Sequence, residues 1–522
     1  MCHLITRATV GLSLLVATSA AAQPAQFETW KEDRPLVAPS TACSALRALS
    51  GYDFSVDVAE SVPAQAGTPG FCRVQGLVQP EIRFEVSLPA AWNGRLYMFG
   101  NGGFAGESLT AGFRAGRRNL AVTKGFVAAQ TNTGHDQARE PLASFAASPQ
   151  KLSDYAYRAV HVTAVTAKAL ARAYYGTAPA FSYFDGCSTG GRQGLIAAQR
   201  FPDDFDGIVV GAPVLDFTGT MAHYVGVTRA LAAGPMSEAK VKVLAEASYR
   251  KCDAADGLTD GLITDPRTCG FDAERDIPRC AAGAPGDNCL TDLELASVKA
   301  LTGDLVAGGR RRFPGFPIGS EVSVPTPNGP RTGWDPWIIR SGQPTVAFSF
   351  MESFFKHMAT PGTEIDWKTF DVDRDMPKLD AIGTLLNATD TDLSAFRSRK
   401  GRVLMWYGWA DPALNPRMGL EYYEGVARTM GPGTEDFFRL FMMPGVLHCS
   451  GGVGPDRVDT ISPLMAWVER GVVPTALVAS QRAGDKTTRT RPLCPHPQVA
   501  TYKGQGSADS ADSFTCSAPA AR

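Results

Sequence analysis

The chain has 522 residues, 44% hydrophobic and 20% charged, with a formal net charge of −1. This composition excludes a disordered or fibrous chain, and the charge balance gives no electrostatic reason to expect nucleic acid or an anionic membrane as partner. The length exceeds that of an ordinary single domain and points to a core with a large insertion or second domain.

At the N-terminus, Arg7 precedes an apolar run over residues 8–17, and Ala20-Ala21-Ala22 has the small-residue pattern of a signal-peptidase site. Residues 1–22 are therefore expected to be a signal peptide cleaved after Ala22, sending the protein to the periplasm or outside the cell. The alternative is an uncleaved anchor, although the run is short for a bilayer span. Cys2 precedes the run and cannot be a lipoprotein cysteine. Ten cysteines then remain, an even number that in an exported chain predicts five disulfides. No C-x-x-C pair argues for a metal. Proximity favours Cys43–Cys72, Cys252–Cys269, Cys280–Cys289 and Cys494–Cys516, leaving Cys187 and Cys449 for each other; free buried thiols are the alternative for that last pair.

Residues 23–75 lack periodicity and are expected to be an irregular lead-in held by Cys43 and Cys72. Residues 82–88 alternate apolar and polar, 89–94 turn, and 95–99 start a second strand, which predicts a hairpin. The second strand runs into Gly100-Asn101-Gly102-Gly103-Phe104. There the small side chains would leave backbone N–H groups open to an oxygen, as in half of an oxyanion hole; a plain turn is the alternative. Residues 125–130 read as a buried strand and 152–175 as a long amphipathic helix. His135 reads as a loop residue and His161 as a helix-face residue.

Residues 181–184 read as a buried strand and 195–200 as a helix, with Gly186-Cys187-Ser188-Thr189-Gly190 between them. This is G-x-S-x-G at a strand-to-helix turn, which would lift the Ser188 hydroxyl above a sheet with a helix N-terminus beneath it. The order strand, helix, strand, turn, helix predicts a mostly parallel α/β sheet. After a strand at 208–212 the pattern breaks, and residues 217–395 read as an inserted lid over the C-terminal ends of the strands. Residues 23–216 and 396–522 are left as the catalytic domain.

Within the insertion, Asp253, Asp256 and Asp260 crowd a Gly-punctuated loop. They are either a solvated acidic turn or ligands of Ca²⁺, with the carbonyls of Leu258 and Leu262 as supplementary donors. Trp334, Trp337, Phe354 and Phe355 are candidate contacts for an aromatic ring, or else pack the lid's own core. The sheet resumes at 402–407, followed by Asp411; a helix over 416–428 and a strand over 437–442 lead to His448 and Cys449.

Ser188, Asp411 and His448 stand in the chain order of α/β-hydrolases, each after a predicted strand. The pattern calls for Ser188 as nucleophile, His448 as general base and acid, and Asp411 as the acid that orients the imidazole. Backbone N–H groups of Thr189 and of Gly102 or Gly103 would hold the oxyanion.

The motifs Gly186-Cys-Ser-Thr-Gly-Gly-Arg-Gln193, Gly408-Trp-Ala-Asp-Pro412 and His448-Cys449 resemble the Cys-Ser, Asp, His-Cys arrangement of the tannase and feruloyl esterase family, with likeness from about Cys43 to Cys516. The resemblance implies an α/β-hydrolase fold with a lid, structural Ca²⁺ held by Asp253, Asp256 and Asp260 in that lid, and a bridge between Cys187 and Cys449 beside the triad. It implies esters of aromatic acids as substrates. Feruloyl and other hydroxycinnamoyl esters, including those linked to plant polysaccharide, come first, and gallate esters and mono(hydroxyethyl) terephthalate are the alternatives. A phenolic-binding protein without activity and a peptidase are the rival readings.

Overall fold

The computed structural model describes residues 26–519 apart from 66, 283, 285, 325–328 and 360–364. The expected signal peptide, with Cys2 and its cleavage site, lies outside the described residues. Nine strands form one sheet: β1 (Phe54–Val62), β2 (Phe71–Val78), β3 (Ile82–Pro89), β4 (Arg95–Phe99), β5 (Val127–Thr131), β6 (Phe181–Cys187), β7 (Gly207–Gly211), β8 (Arg402–Gly408) and β9 (Phe438–Met443). Their spatial order is β1-β2-β3-β5-β4-β6-β7-β8-β9. The first three strands pair antiparallel with one another and with β5, and every pairing from β5 to β9 is parallel.

The short strands β4, β5 and β7 are buried at every position, as central strands covered on both faces must be. Successive side chains point to opposite faces, and the core divides accordingly. Phe184, Val210, Met405 and Leu440 pack in one apolar cluster with helices Ala159–Tyr175 and Thr189–Arg200. Their neighbours Tyr183, Val209, Leu404 and Phe441 pack in a second cluster with helices Gly112–Thr123 and Ile461–Arg470. This is the mostly parallel α/β sheet expected from the order of strands and helices, and the α/β-hydrolase fold implied by the resemblance.

Two expectations are corrected. Residues 23–75 are not irregular throughout, because β1 and the start of β2 lie among them. β1 sits at the sheet's edge, with a mixed burial pattern and no apolar run to mark it. Nor do β3 and β4 form a hairpin. β5 lies between them, antiparallel to β3 through Phe84↔Thr131 and parallel to β4 through Leu96↔Val127. Alternation identifies a strand but carries no information about its neighbour.

The segment between β7 and β8 contains helices Phe217–Ala233, Glu238–Cys252, Asp292–Thr302 and Val346–His357 and short antiparallel ribbons. Its apolar residues Phe217, Met221, Met351 and Phe354 belong to the same cluster as the sheet. This segment therefore packs onto the sheet within one continuous apolar core. Five disulfides join Cys43–Cys72, Cys187–Cys449, Cys252–Cys269, Cys280–Cys289 and Cys494–Cys516. Among the described residues no helix is long and apolar enough to cross a membrane.

Candidate active site

Strand β6 ends at Cys187 and the next helix begins at Thr189, so Ser188 makes the whole turn alone. It does so at φ 64°, ψ −124°, a strained conformation for a residue with a Cβ that costs on the order of 1–3 kcal/mol. The surroundings impose it: Ser188 N–H donates to Gly211 O at 2.9 Å and Arg192 N–H to Ser188 O at 3.1 Å. Gly186 leaves no room for a side chain and Gly190 leaves little. A Cβ on Gly186 would lie 2.4 Å from the carbonyl carbon of Gly190, and one on Gly190 would lie 3.1 Å from Asn101 O. The Ser188 side chain does not cap the helix, so its hydroxyl is not committed to the backbone, and the helix's positive end lies beneath it.

Asp411 follows β8 and is 1% exposed. Its Oδ1 accepts the N–H groups of Ala413 and Leu414, each at 2.8 Å, which compensates for burying the charge. Its Oδ2 lies 2.8 Å from His448 Nδ1. A carboxylate accepts only, so the proton of this bond sits on Nδ1 and Nε2 is left as the basic nitrogen. The two loops are closely joined, since a Cβ on Gly408 would lie 2.2 Å from Val446 O. The Cys187–Cys449 bridge, with Cα atoms 6.0 Å apart across 262 positions, joins the residue before Ser188 to the residue after His448. Trp337 packs edge-on against the His448 ring at 5.4 Å.

The Gly-rich loop after β4 lies beside the elbow, and Thr189 Oγ1 donates to Gly103 O at 2.5 Å. Of the two glycines named as alternative oxyanion donors, Gly102 has its N–H already bonded, donating to Glu107 Oε1 at 2.7 Å. Gly103, at φ 53°, remains the candidate beside Thr189. A Cβ there would lie 3.1 Å from the Phe350 ring. Phe350 itself stacks on Phe104 at 4.8 Å and approaches Trp337 at 5.9 Å. Two half-buried aromatics from the segment between β7 and β8 thus stand over the loop and the histidine. Trp337 is among the sequence candidates; Phe350 is not, because one phenylalanine in an aromatic-rich helix carries no distinguishing signal. Trp334, Phe354 and Phe355 are at most 2% exposed and pack the interior.

Of the remaining candidates, His135 packs against the Gly-rich loop, where a Cβ on Gly106 would lie 2.6 Å from its ring. His135 is a buried loop residue stacked on Phe145 at 3.8 Å, and burial lowers its pKa. His161, on the helix Ala159–Tyr175, has its Nδ1 2.9 Å from Asp204 Oδ2. In the acidic loop, Asp253 Oδ1 accepts the N–H groups of Asp260 and Gly261. Asp256 accepts from Leu258 N–H and the Thr264 hydroxyl, and Asp260 pairs with Arg491. Among the described residues no three acidic, histidine or cysteine side chains converge as a metal site. The donors are hard oxygens of the type calcium takes, but as arranged here they face the loop's own N–H groups and an arginine, and they do not form a cage.

A strained serine between a parallel strand and a helix, with an acid–imidazole pair after later strands of the same sheet, is the site architecture of an α/β-hydrolase. The chain belongs to the tannase and feruloyl esterase family, whose profile matches residues 66–517, and it is a carboxylic ester hydrolase of that type. It is 35% identical to an uncharacterized esterase of Xanthomonas campestris pv. campestris, over 91% of each chain. It is 32% identical to mono(2-hydroxyethyl) terephthalate hydrolase of Piscinibacter sakaiensis, over 89% of this chain and 87% of the relative. The crystal structure of feruloyl esterase B from Aspergillus oryzae superposes with a TM-score of 0.80 at 27% identity, covering 91% of this chain and 99% of that one.

Proposed function

We propose that the protein hydrolyses esters of aromatic carboxylic acids, feruloyl and related hydroxycinnamoyl esters first, through an acyl-enzyme on Ser188. The observation that carries this reading is the His448–Asp411 hydrogen bond at 2.8 Å on a loop bonded covalently to the serine elbow. His448 Nε2 takes the Ser188 proton as Oγ attacks the ester carbonyl. The negative oxygen of the tetrahedral intermediate is held by the N–H groups of Thr189 and Gly103. The imidazolium, stabilised by Asp411, then protonates the leaving alkoxide, and the alcohol departs. Water, deprotonated by His448, attacks the acyl carbonyl and releases the aromatic acid while Ser188 recovers its proton. Tannin-type gallate esters and terephthalate monoesters are the alternatives. Initial rates on methyl ferulate, methyl gallate, mono(hydroxyethyl) terephthalate, 4-nitrophenyl acetate and a peptide amide test the reading. Turnover of the amide in preference to every ester would overturn it.

Residues 217–395 act in this proposal as the lid, and Trp337 and Phe350 as the surfaces against which the aromatic acyl group packs. An aromatic contact contributes about 0.5–1.5 kcal/mol. Trp337→Ala or Phe350→Ala should therefore lower kcat/KM for methyl ferulate relative to 4-nitrophenyl acetate by roughly two- to twelvefold. Equal losses on both substrates would remove these rings from acyl recognition.

Calcium binding by Asp253, Asp256, Asp260 and the carbonyls of Leu258 and Leu262 is a separate proposal. It requires Asp253 and Asp256 to turn from loop N–H groups to the ion, and Asp260 to share its charge with Arg491. The ion's contribution would be to stability. Added Ca²⁺ should raise the melting temperature and EDTA should lower it; identical melting curves in both would end this proposal. Export through residues 1–22 is likewise proposed. It is supported by five disulfides, which persist in oxidising compartments.

A further inference from the structure

The loop after β4 contains a buried carboxylate that the chemistry above does not use. Glu107 is 7% exposed. Its Oε1 accepts Gly102 N–H and its Oε2 accepts Asn101 Nδ2, both at 2.7 Å. Arg114 Nη1 lies 3.5 Å from Oε2. Arg114 is itself fully buried and is fixed by Gln130 Oε1 at 2.7 Å and Thr131 O at 3.1 Å. Asn101 is held from its other side by Gln193, on the first turns of the elbow helix: Asn101 N–H donates to Gln193 Oε1 at 3.0 Å, and Gln193 Nε2 donates to Asn101 Oδ1 at 3.2 Å. Glu107 thus holds Asn101 and Gly102 from the sheet side while Gln193 registers them to the elbow.

The consequence falls on the next peptide. Gly102 O accepts Ala105 N–H at 2.7 Å. In a planar trans peptide the following N–H points opposite to that carbonyl, so this bond sets the direction of Gly103 N–H. The Gly103 carbonyl is fixed in turn by Thr189 Oγ1 at 2.5 Å and the Tyr155 hydroxyl at 3.2 Å. Drawing Gly102 N–H onto a carboxylate leaves Gly103 as the loop's outward donor. Charged acceptors hold N–H groups more tightly than neutral ones. A bare carboxylate this close to a developing oxyanion would oppose it, and Arg114 offsets that charge.

We infer that Glu107 is a positioning residue for the oxyanion hole, acting through Asn101 and Gly102 to aim Gly103 N–H at the substrate oxygen as it becomes negative. The inference rests on the proposed Ser188 chemistry. Glu107→Ala should lower kcat on 4-nitrophenyl acetate by about 10²–10³-fold, the loss of one oxyanion donor, with KM within about threefold of wild type. Glu107→Gln keeps an acceptor for Gly102 N–H but sets an amide N–H against Asn101 Nδ2, and should recover part of that loss. Inhibition by phenylboronic acid, whose tetrahedral adduct needs the same hole, should weaken in parallel with kcat; a merely structural role would not produce this. Thermal melts establish that each variant is folded, and should Glu107→Ala fail to fold, Glu107→Gln decides alone. Unchanged kcat in a folded variant, or a loss confined to KM, overturns the inference. Ser188→Ala is run alongside. If it is inactive while the Glu107 variants keep full kcat, only this inference fails, whereas a fully active Ser188→Ala overturns both.

Discussion

Replacing Ser188 by alanine is expected to lower kcat for 4-nitrophenyl acetate and methyl ferulate by about 10⁴-fold or more, with KM changed by less than about threefold. The size of the effect follows from what the substitution removes. The hydroxyl is the atom that would form the acyl-enzyme, and no neighbouring side chain can take its place at a one-residue turn between strand and helix. The fold should be unaffected, because the strain at φ 64° is a backbone property that alanine also carries, and the Ser188 side chain caps nothing. Initial rates and a thermal melt on the same preparation check both halves. Rates near wild type in a folded variant would place the nucleophile elsewhere.

The second large effect is expected from the Cys187–Cys449 bridge. In the chain-entropy treatment, a disulfide closing a loop of 262 positions contributes on the order of 5 kcal/mol. Its position matters more than its size. Cys449 has φ 62°, and its Sγ lies 3.7 Å from His448 Nε2, so the bridge determines where the basic nitrogen stands relative to the elbow. A misplacement of about 1 Å at a catalytic group costs roughly 10²-fold in rate. The double variant Cys187→Ala, Cys449→Ala should therefore lose about 10²-fold or more in kcat, with a lower melting temperature, while the other four bridges are retained. Treatment of the wild type with reductant should give at least this loss, because it can also open the other four bridges. Wild-type kcat in the double variant would show that packing alone aligns the two loops.

The sequence makes the catalytic part of this molecule unusually legible, for reasons that can be located. Strands β4, β5 and β7 are buried at every position and β6, β8 and β9 at most of theirs, so they appear as short, largely apolar runs, and Ser188, Asp411 and His448 each fall just past the end of one. β1 is only weakly legible, because the alternation of Phe54, Val56 and Val58 with Ser55 and Asp57 is short and is lost over Ala59-Glu60-Ser61, and its pairing is shifted between Val56 and Val58. The neighbour of β3 is not legible, since pairing is decided by tertiary packing. At the site, the choice between Gly102 and Gly103 depends on which N–H is already bonded, and Glu107 decides it. A lone acidic residue in a glycine-rich loop has no pattern that marks it. Phe350 was hidden for a related reason: the helix Val346–His357 contains four phenylalanines, and only the fold turns one of them toward Gly103.

The most direct measurement is mass mapping of the acid-quenched reaction with 4-nitrophenyl ferulate, an activated ester whose fast acylation lets the covalent intermediate accumulate. The expected result is a feruloyl group on the peptide that contains Ser188, absent from the Ser188→Ala protein. A feruloyl group on any other residue, or unchanged hydrolysis of the ester by the Ser188→Ala protein, would contradict it.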